Sequence, residues 1–336
     1  MNLSEVKNDM PDIYFDPKYA KLYENVEQGT VERFVHKTNN GCVSNLFILR
    51  EIPEVIDGIQ YKDIVSPYGY GGPVIECCKD GKKSELLREY EDAFSKYCNE
   101  NHIVSEFVRF HPIINNGLDF ASIYNSQCIR NTVGTNLMLG EDPTQEEFSK
   151  SCRKRIRRAL RDGVSYKVTE KPETIHSFKE IYYSTMDRNA ASEYYYFTDE
   201  YFQQCLEYFR ENIILVEALF EGKVIAAGFY FVWNKVIHIH LSGTLSEYLY
   251  LSPAYILRYA VTLWGKEHGY ELIHHGGGRS NAEDDSLYLF KKQFGEQTSF
   301  DFYIGKKIWN LDAYNRLCEN KKCNMNGDFF PAYRGV

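Results

Sequence analysis

The stretch that decides the fold lies near the C-terminal end: His274-His275-Gly276-Gly277-Gly278, followed by Asp284-Asp285-Ser286-Leu287-Tyr288-Leu289-Phe290-Lys291-Lys292-Gln293-Phe294. A short apolar strand (Glu271-Leu272-Ile273) runs into three glycines, an acidic helix cap and an amphipathic helix. Three glycines let a backbone approach a ligand closely and expose its N–H groups. The helix brings Lys291 within reach of the same spot. The device suits a polar ligand, anionic or carbonyl-bearing. The plain alternative is a loop that merely turns a strand into a helix.

Working outward, 336 residues are enough for two domains, since single cores rarely grow beyond roughly 250–300 residues. The 43% apolar and 26% charged fractions are those of an ordinary globular chain. Tyrosine is the outlier at 27 residues, and its amphipathic ring suits polar clefts. A net charge of −8 argues against a protein coated in nucleic acid but permits a local basic groove. Nine cysteines show no C-x-x-C pair; only Cys77-Cys78 and Cys318/Cys323 lie close together. The start, Met1 to Pro11, is polar, and no run approaches the ~18 apolar residues of a membrane span. These features suggest a reduced cytoplasmic protein, free in solution or peripheral at the inner face of the membrane. They suggest no metal site and no tightly bound cofactor.

The pattern along the chain is α+β. Strand-like segments at Val31–His36, Asn45–Arg50 and Tyr61–Val65 feed the loop Ser66-Pro67-Tyr68-Gly69-Tyr70-Gly71-Gly72-Pro73. A helix over Lys83–Asn99 and a strand over Ile103–Phe110 follow. Gly140–Asp142 and Pro143 mark a hinge. Beyond it the spacing predicts helices over Thr144–Arg161, Pro172–Arg188 and Thr198–Glu211, and strands at Val164–Thr169, Ile213–Phe220, Lys223–Trp233 and Lys235–Gly243. A helix from Ser252 to His268 then returns to Glu271–His274. Each half holds a strand hairpin, a long helix and a strand ending at a special loop. That describes a duplicated α+β acyltransferase-type unit, and duplication normally creates a cleft where ligands bind. The expected domains are 1–148 with 303–336, and 149–302.

Arg153-Lys154-Arg155-Ile156-Arg157-Arg158-Ala159-Leu160-Arg161 is the most basic stretch, with Ile156 and Leu160 anchoring one face. Such a cluster in an acidic protein points to phosphates; a solvated helix face is the alternative. His238 and His240 alternate with isoleucines and fall on one face of a strand, where a polar cleft wall is a better reading than a metal site. Asp284 and Asp285 suit helix capping. Arg188 follows an apolar helix face and is a further cleft candidate. No G-x-G-x-x-G, Walker loop or G-x-S-x-G elbow is present, and no cysteine has a nucleophile's context.

Together these segments resemble the FemABX family of bacterial peptidoglycan-bridge aminoacyltransferases. The match is best over Ser151–Phe294: the basic helix ending Arg161-Asp162-Gly163-Val164, Tyr183-Ser184-Thr185-Met186-Asp187-Arg188, Glu200-Tyr201-Phe202-Gln203, and Asp284-Asp285-Ser286-Leu287-Tyr288-Leu289-Phe290-Lys291. The first half matches more loosely, through Val108-Arg109-Phe110-His111-Pro112. The resemblance implies two GNAT-like N-acyltransferase-type domains with mixed, largely antiparallel sheets flanked by helices. It implies transfer of an aminoacyl group from aminoacyl-tRNA to an amine of a UDP-linked or lipid-linked cell-wall precursor. An amine with an ordinary pKa near ~10.4 must lose a proton as it attacks, and the developing oxyanion must be stabilised.

Lys291 matches the family's lysine for that charge, and His111 and His240 are the further catalytic candidates. Tyr68, Tyr70, Gly71, Arg109, Arg188, His238, Gly276, Gly277 and Gly278 are expected to bind substrate. Arg153, Lys154, Arg155, Arg157 and Arg158 are expected to bind tRNA or another phosphate. His111 stands where relatives carry aspartate, and His238 and His240 where some carry tyrosine, so the acceptor is open. A second reading is an acyl-CoA-dependent GNAT enzyme acting on an amino sugar or surface-polysaccharide precursor. The turn Leu249-Tyr250-Leu251-Ser252-Pro253-Ala254 lacks the glycines that cradle the CoA pyrophosphate. A third is a non-catalytic protein that binds a glycan precursor.

Overall fold

The computed structural model describes residues 10–324, 327 and 329–335. The polar stretch from Met1 to Pro11 therefore lies, up to residue 9, outside the described residues. In chain order the main elements begin with β1 (Gly29–Lys37), β2 (Gly41–Ile56), β3 (Ile59–Val65), β4 (Val74–Cys78), α1 (Lys83–Glu100), β5 (Ile103–Arg109) and β6 (Gln127–Asn136). They continue with α2 (Lys150–Arg161), β7 (Ser165–Glu170), α3 (His176–Arg188), α4 (Asp199–Phe209), β8 (Ile213–Phe220), β9 (Lys223–Trp233) and β10 (Val236–Thr244). Last come α5 (Pro253–Glu267), β11 (Leu272–Gly276), α6 (Ser286–Lys292), β12 (Ser299–Ile308) and α7 (Leu311–Lys321). No helix among the described residues is long and apolar enough to cross a membrane.

Two compact units form, residues 1–130 with 301–336 and residues 131–300. The sequence pattern placed these divisions at 148/149 and 302/303. The two divisions differ at residues 301–302, which fall in the first unit, and at residues 131–148, which pack with the second. Gly134 to Asn136 pair with β11, and the Phe148 ring meets Phe294 edge-on at 5.3 Å.

In the first unit β1, β2 and β3 form an antiparallel meander, β3 lies parallel to β5, and β12 pairs antiparallel with β5. Helix α1 lays Leu86, Leu87, Tyr90, Phe94 and Cys98 on one face of this sheet, the 3.6-residue spacing visible in its sequence. Each such apolar side chain contributes roughly 1.5–3 kcal/mol on burial. The C-terminal segment returns here as well. Tyr314 and Leu317 of α7 pack against Ile52 and Val104, and Asp63 receives Arg50 Nε at 2.8 Å, Tyr333 at 3.3 Å and Arg334.

The second unit repeats the pairing pattern: β7, β8, β9 and β10 are antiparallel neighbours, β10 lies parallel to β11, and β6 pairs antiparallel with β11. Helices α2 and α5 cover one face, with α5 against β7 and β8, while α3 lies against β9 and β10. A continuous helix from Thr144 to Arg161 was expected, but the chain breaks at Phe148. Ser149 starts α2 afresh, its hydroxyl accepting from the Cys152 N–H at 3.1 Å. The buried Glu147 carboxylate is drawn to the N–H groups of Asn136 (3.1 Å) and Gln297 (3.0 Å), which a straight helix would prevent. The architecture is α+β, with mixed, largely antiparallel sheets flanked by helices.

Candidate active site

In the second unit the parallel pair β10/β11 parts beside the glycine run. Register breaks fall between Ile239 and Leu241 on β10 and between His274 and Gly276 on β11, and bulges of this kind re-aim side chains. Gly276 takes φ +74°, which a side chain would resist. Asp285 then fastens the loop to the helix. One carboxylate oxygen accepts from the Tyr288 N–H at 2.8 Å and caps α6; the other accepts from the N–H groups of Arg279 and Ser280, both at 2.9 Å. Led by the Tyr288 bond, these donors hold the carboxyl down at about 2. Lys291, half-buried on α6, donates from Nζ to the Gly277 carbonyl at 2.7 Å. The lysine and the glycine run expected to act together are therefore in direct contact.

Strand alternation sorts the histidines. His238 and His274 are in register on adjacent strands, both buried, with rings edge-on at 5.8 Å. His274 Nε2 shares a hydrogen bond of 2.9 Å with the Thr132 hydroxyl. His240, half-buried, bonds through Nε2 to the Tyr201 hydroxyl at 2.6 Å. Burial first, and then His238, push its basicity down to about 3, so the ring is neutral at ordinary pH. His275 points to the other face, where its Nε2 meets the Thr135 hydroxyl at 2.8 Å. Arg188 is spent on the end of β10: its guanidinium donates to the Thr244 carbonyl at 2.7 Å and to the Ser246 hydroxyl at 3.0 Å.

The basic helix is more differentiated than its sequence suggests. Arg153 donates to the carbonyls of Gln145 (2.8 Å) and Phe148, Arg158 reaches Asp162 at 3.3 Å, and Arg155 lies over the Tyr255 ring at 5.5 Å. Lys154 and Arg157 are exposed and have no ion-pair partner among the described residues. Tyr255 in turn packs on Phe290 of α6 at 5.3 Å, so the basic helix is one aromatic ring away from the helix that carries Lys291.

The first unit holds the other predicted residues. Gly71 N–H donates to the Arg109 carbonyl at 2.8 Å. Arg109 donates to the Ser66 carbonyl at 3.3 Å and faces Glu27 at 3.8 Å, so its charge is partly countered within the unit. His111 is fully buried; its Nδ1 accepts from the Ile114 N–H at 3.2 Å and its Nε2 lies 3.5 Å from Asp12. Tyr70, also buried, sits edge-on to His111 at 5.6 Å, and burial raises its phenol. Tyr68 stacks on Tyr23 with centroids 5.6 Å apart and accepts the Tyr19 hydroxyl at 3.1 Å.

Sequence reasoning missed the supports. Asn116 pins the first unit's loop by donating to the carbonyls of Gly71 and Pro73, each at 2.9 Å, and accepting from the His111 N–H at 2.7 Å. Arg258 was missed although a signal existed: it is the one cation among Ile256, Leu257, Ala260 and Val261 on the buried face of α5.

These arrangements define a GNAT-type acyltransferase fold, and residues 146–284 match the acetyltransferase (GNAT) domain family. The particular fold is that of FemX: a crystal structure of FemX aligns with TM-score 0.68 at 12% identity, covering 95% of this chain and 96% of that one. The C-terminal domain of a putative lysylphosphatidylglycerol synthetase from Agrobacterium fabrum aligns with TM-score 0.55 at 13% identity, over 88% of each chain. In sequence the chain is distantly homologous to the UDP-N-acetylmuramoylpentapeptide-lysine N(6)-alanyltransferase of Weissella viridescens, 24% identical over 180 residues. That match takes in 53% of this chain and 52% of the relative, about half the length of each.

Proposed function

We propose that this protein is an aminoacyltransferase that forms an amide on an amino group of a peptidoglycan precursor, with aminoacyl-tRNA as donor. The observation that carries the reading is the Lys291–Gly277 contact at the end of the parallel strand pair, in a chain with the FemX fold. The acceptor amine attacks the aminoacyl ester carbonyl; a C–N bond forms, the ester C–O bond breaks, and the tRNA hydroxyl leaves with the proton the amine gives up. Negative charge gathers on the carbonyl oxygen meanwhile. Lys291 and the N–H groups of Gly276, Gly277 and Gly278 would stabilise it. Lys154, Arg155 and Arg157 would hold donor phosphates, with Arg153 and Arg158 shaping that helix. His240, neutral and bonded to Tyr201, and His111, facing Asp12, are our candidates for handling the amine's proton. Tyr68, Tyr70, Gly71, Arg109 and His238 are assigned to substrate binding, with Arg188 shaping the end of β10.

The test is a mass-spectrometric transfer assay with purified protein and UDP-linked muropeptide, one arm given charged total tRNA and the other acetyl-CoA. A gain of one amino-acid residue mass in the tRNA arm alone supports the reading and identifies the donor. Acetylation in the second arm replaces it with an acyl-CoA-dependent activity.

A further inference from the structure

Both ends of the Lys291–Gly277 contact are anchored to one buried hydroxyl. His275, the residue before the glycine run, is buried, and its Nε2 meets the Thr135 hydroxyl at 2.8 Å. The same hydroxyl donates to the Phe294 carbonyl at 2.6 Å. Phe294 closes the end of α6, giving its N–H to the Lys291 carbonyl at 2.9 Å. Thr135 is itself fully buried on β6, opposite Ile273 of β11. A closed circuit therefore runs from Lys291 to Gly277, back along the chain to His275, across to Thr135 and Phe294, and home to Lys291.

The circuit fixes its own protons. A carbonyl can only accept, so the single hydroxyl hydrogen of Thr135 goes to Phe294. Towards His275 the hydroxyl is then the acceptor, and the imidazole carries a hydrogen on Nε2. Burial above all holds the ring well below its usual basicity, so it is neutral. Its Nδ1 keeps a lone pair with no partner among the described residues, a cost that an apolar side chain would not incur.

Helix α6 shows what that cost supports. At seven residues it is too short to hold its shape alone. Asp285 fastens its first turn, and the carbonyls at its far end must find partners outside it. The Gln293 carbonyl accepts the Ser149 N–H at 2.9 Å, and the Phe294 carbonyl accepts the Thr135 hydroxyl. The Thr135 bond also reaches the strand that enters the glycine run.

We infer that Thr135 and His275 are positioning residues for Lys291: the Thr135 hydroxyl joins the strand end before the glycine run to the helix end behind the lysine, and so sets where the ammonium group meets the loop. The inference rests on the acyl-transfer reading of this site. It deepens that reading by assigning the placement of the charge-stabilising group to a buried hydroxyl–imidazole pair.

A double-mutant cycle separates positioning from packing. Thr135→Val keeps the shape and removes both bonds. Its kcat for transfer is expected to fall about 10- to 100-fold with KM little changed, the scale of a misplaced catalytic group. In a Lys291→Met background the same change is expected to have little further effect, because Thr135 acts through the lysine. Thr135→Ser restores the hydroxyl and is expected to recover most of the loss. His275→Gln, whose amide can donate from the place of Nε2, is expected to retain more activity than His275→Leu. If T135V does not fold, H275L takes its place in the cycle. Labelling of Lys291 by an amine-reactive ester, read by peptide mass spectrometry without turnover, is expected to rise several-fold relative to Lys154 in T135V. An equal loss of kcat in both backgrounds, with Lys291 labelling unmoved, would overturn the proposal and leave Thr135 a packing residue. Wild-type protein inactive in both arms of the transfer assay would sink the acyl-transfer reading instead. The labelling ratio would then decide the clamp by itself, a rise supporting it and no change overturning it.

Discussion

Lys291 Nζ donates to the carbonyl oxygen of Gly277 at 2.7 Å, which ties the penultimate residue of a seven-residue helix to the middle of the glycine run. The bond fixes where the ammonium group sits. Replacing Lys291 by methionine keeps the length of the chain and removes the charge. The expected result is a fall in kcat of about 10²–10³-fold with a much smaller change in KM, the pattern of a contact made chiefly in the transition state. Unaltered turnover in K291M would remove the assigned role.

Asp285 and Gly278 form one latch. A Cβ at Gly278 would lie 2.5 Å from Asp285 Oδ1 and 3.0 Å from the Tyr288 Cβ, so Gly278→Ala must push the capping carboxylate away. Loss of an N-cap costs about 1 kcal/mol. G278A and D285A should each lower the unfolding temperature, and the double variant should lower it by less than the sum, as expected for residues acting on one contact. Strict additivity in thermal melts would separate the two.

Glu106 predicts how the first unit's stability depends on pH. It is buried, accepting from Asn45 at 2.9 Å and from Tyr124 and Trp309 at 3.1 Å each. Burial outweighs these donors and raises its pKa from 4.5 to about 7. The folded state therefore binds the proton more tightly than the unfolded chain does. The resulting stabilisation is fully present below pH 4.5 and is lost as the pH rises through about 7. Its size is on the order of 3 kcal/mol. Glu106→Gln keeps the shape and cannot ionise. Denaturant titrations from pH 4.5 to 8 should show E106Q gaining on wild type as pH rises. Parallel curves would show that the carboxyl titrates alike in both states.

The basic helix can be tested by salt. Lys154 and Arg157 project freely, whereas Arg153 caps backbone carbonyls and Arg158 is engaged by Asp162. If tRNA phosphates lie on this helix, K154A/R157A should weaken binding across all tRNA sequences and flatten the plot of log affinity against log salt by about 2. R158A should have the smaller effect. Equal slopes for wild type and the double variant would move the donor elsewhere.

The amino-acid sequence by itself determined the kind of fold and the heart of the candidate site. The 3.6-residue spacing of Leu86, Leu87, Tyr90 and Phe94 made α1 legible, and β8 and β9 ran as read, because local periodicity reports which face is buried. Gly276–Gly278, Asp285 and Lys291 lie within sixteen residues of one another, so chain connectivity alone brings them close. Tertiary structure decided everything set by partners far along the chain. The break at Phe148 depends on Glu147 reaching Asn136 and Gln297, and the pairing of β5 with β12 joins residues about two hundred positions apart. The same holds for the charges. Arg188 and Arg109 looked like open cations in sequence, but they are engaged by Thr244, Ser246, Ser66 and Glu27. A side chain's identity gives its intrinsic charge, whereas the burial and the neighbours that tune that charge exist only once distant segments have packed around it.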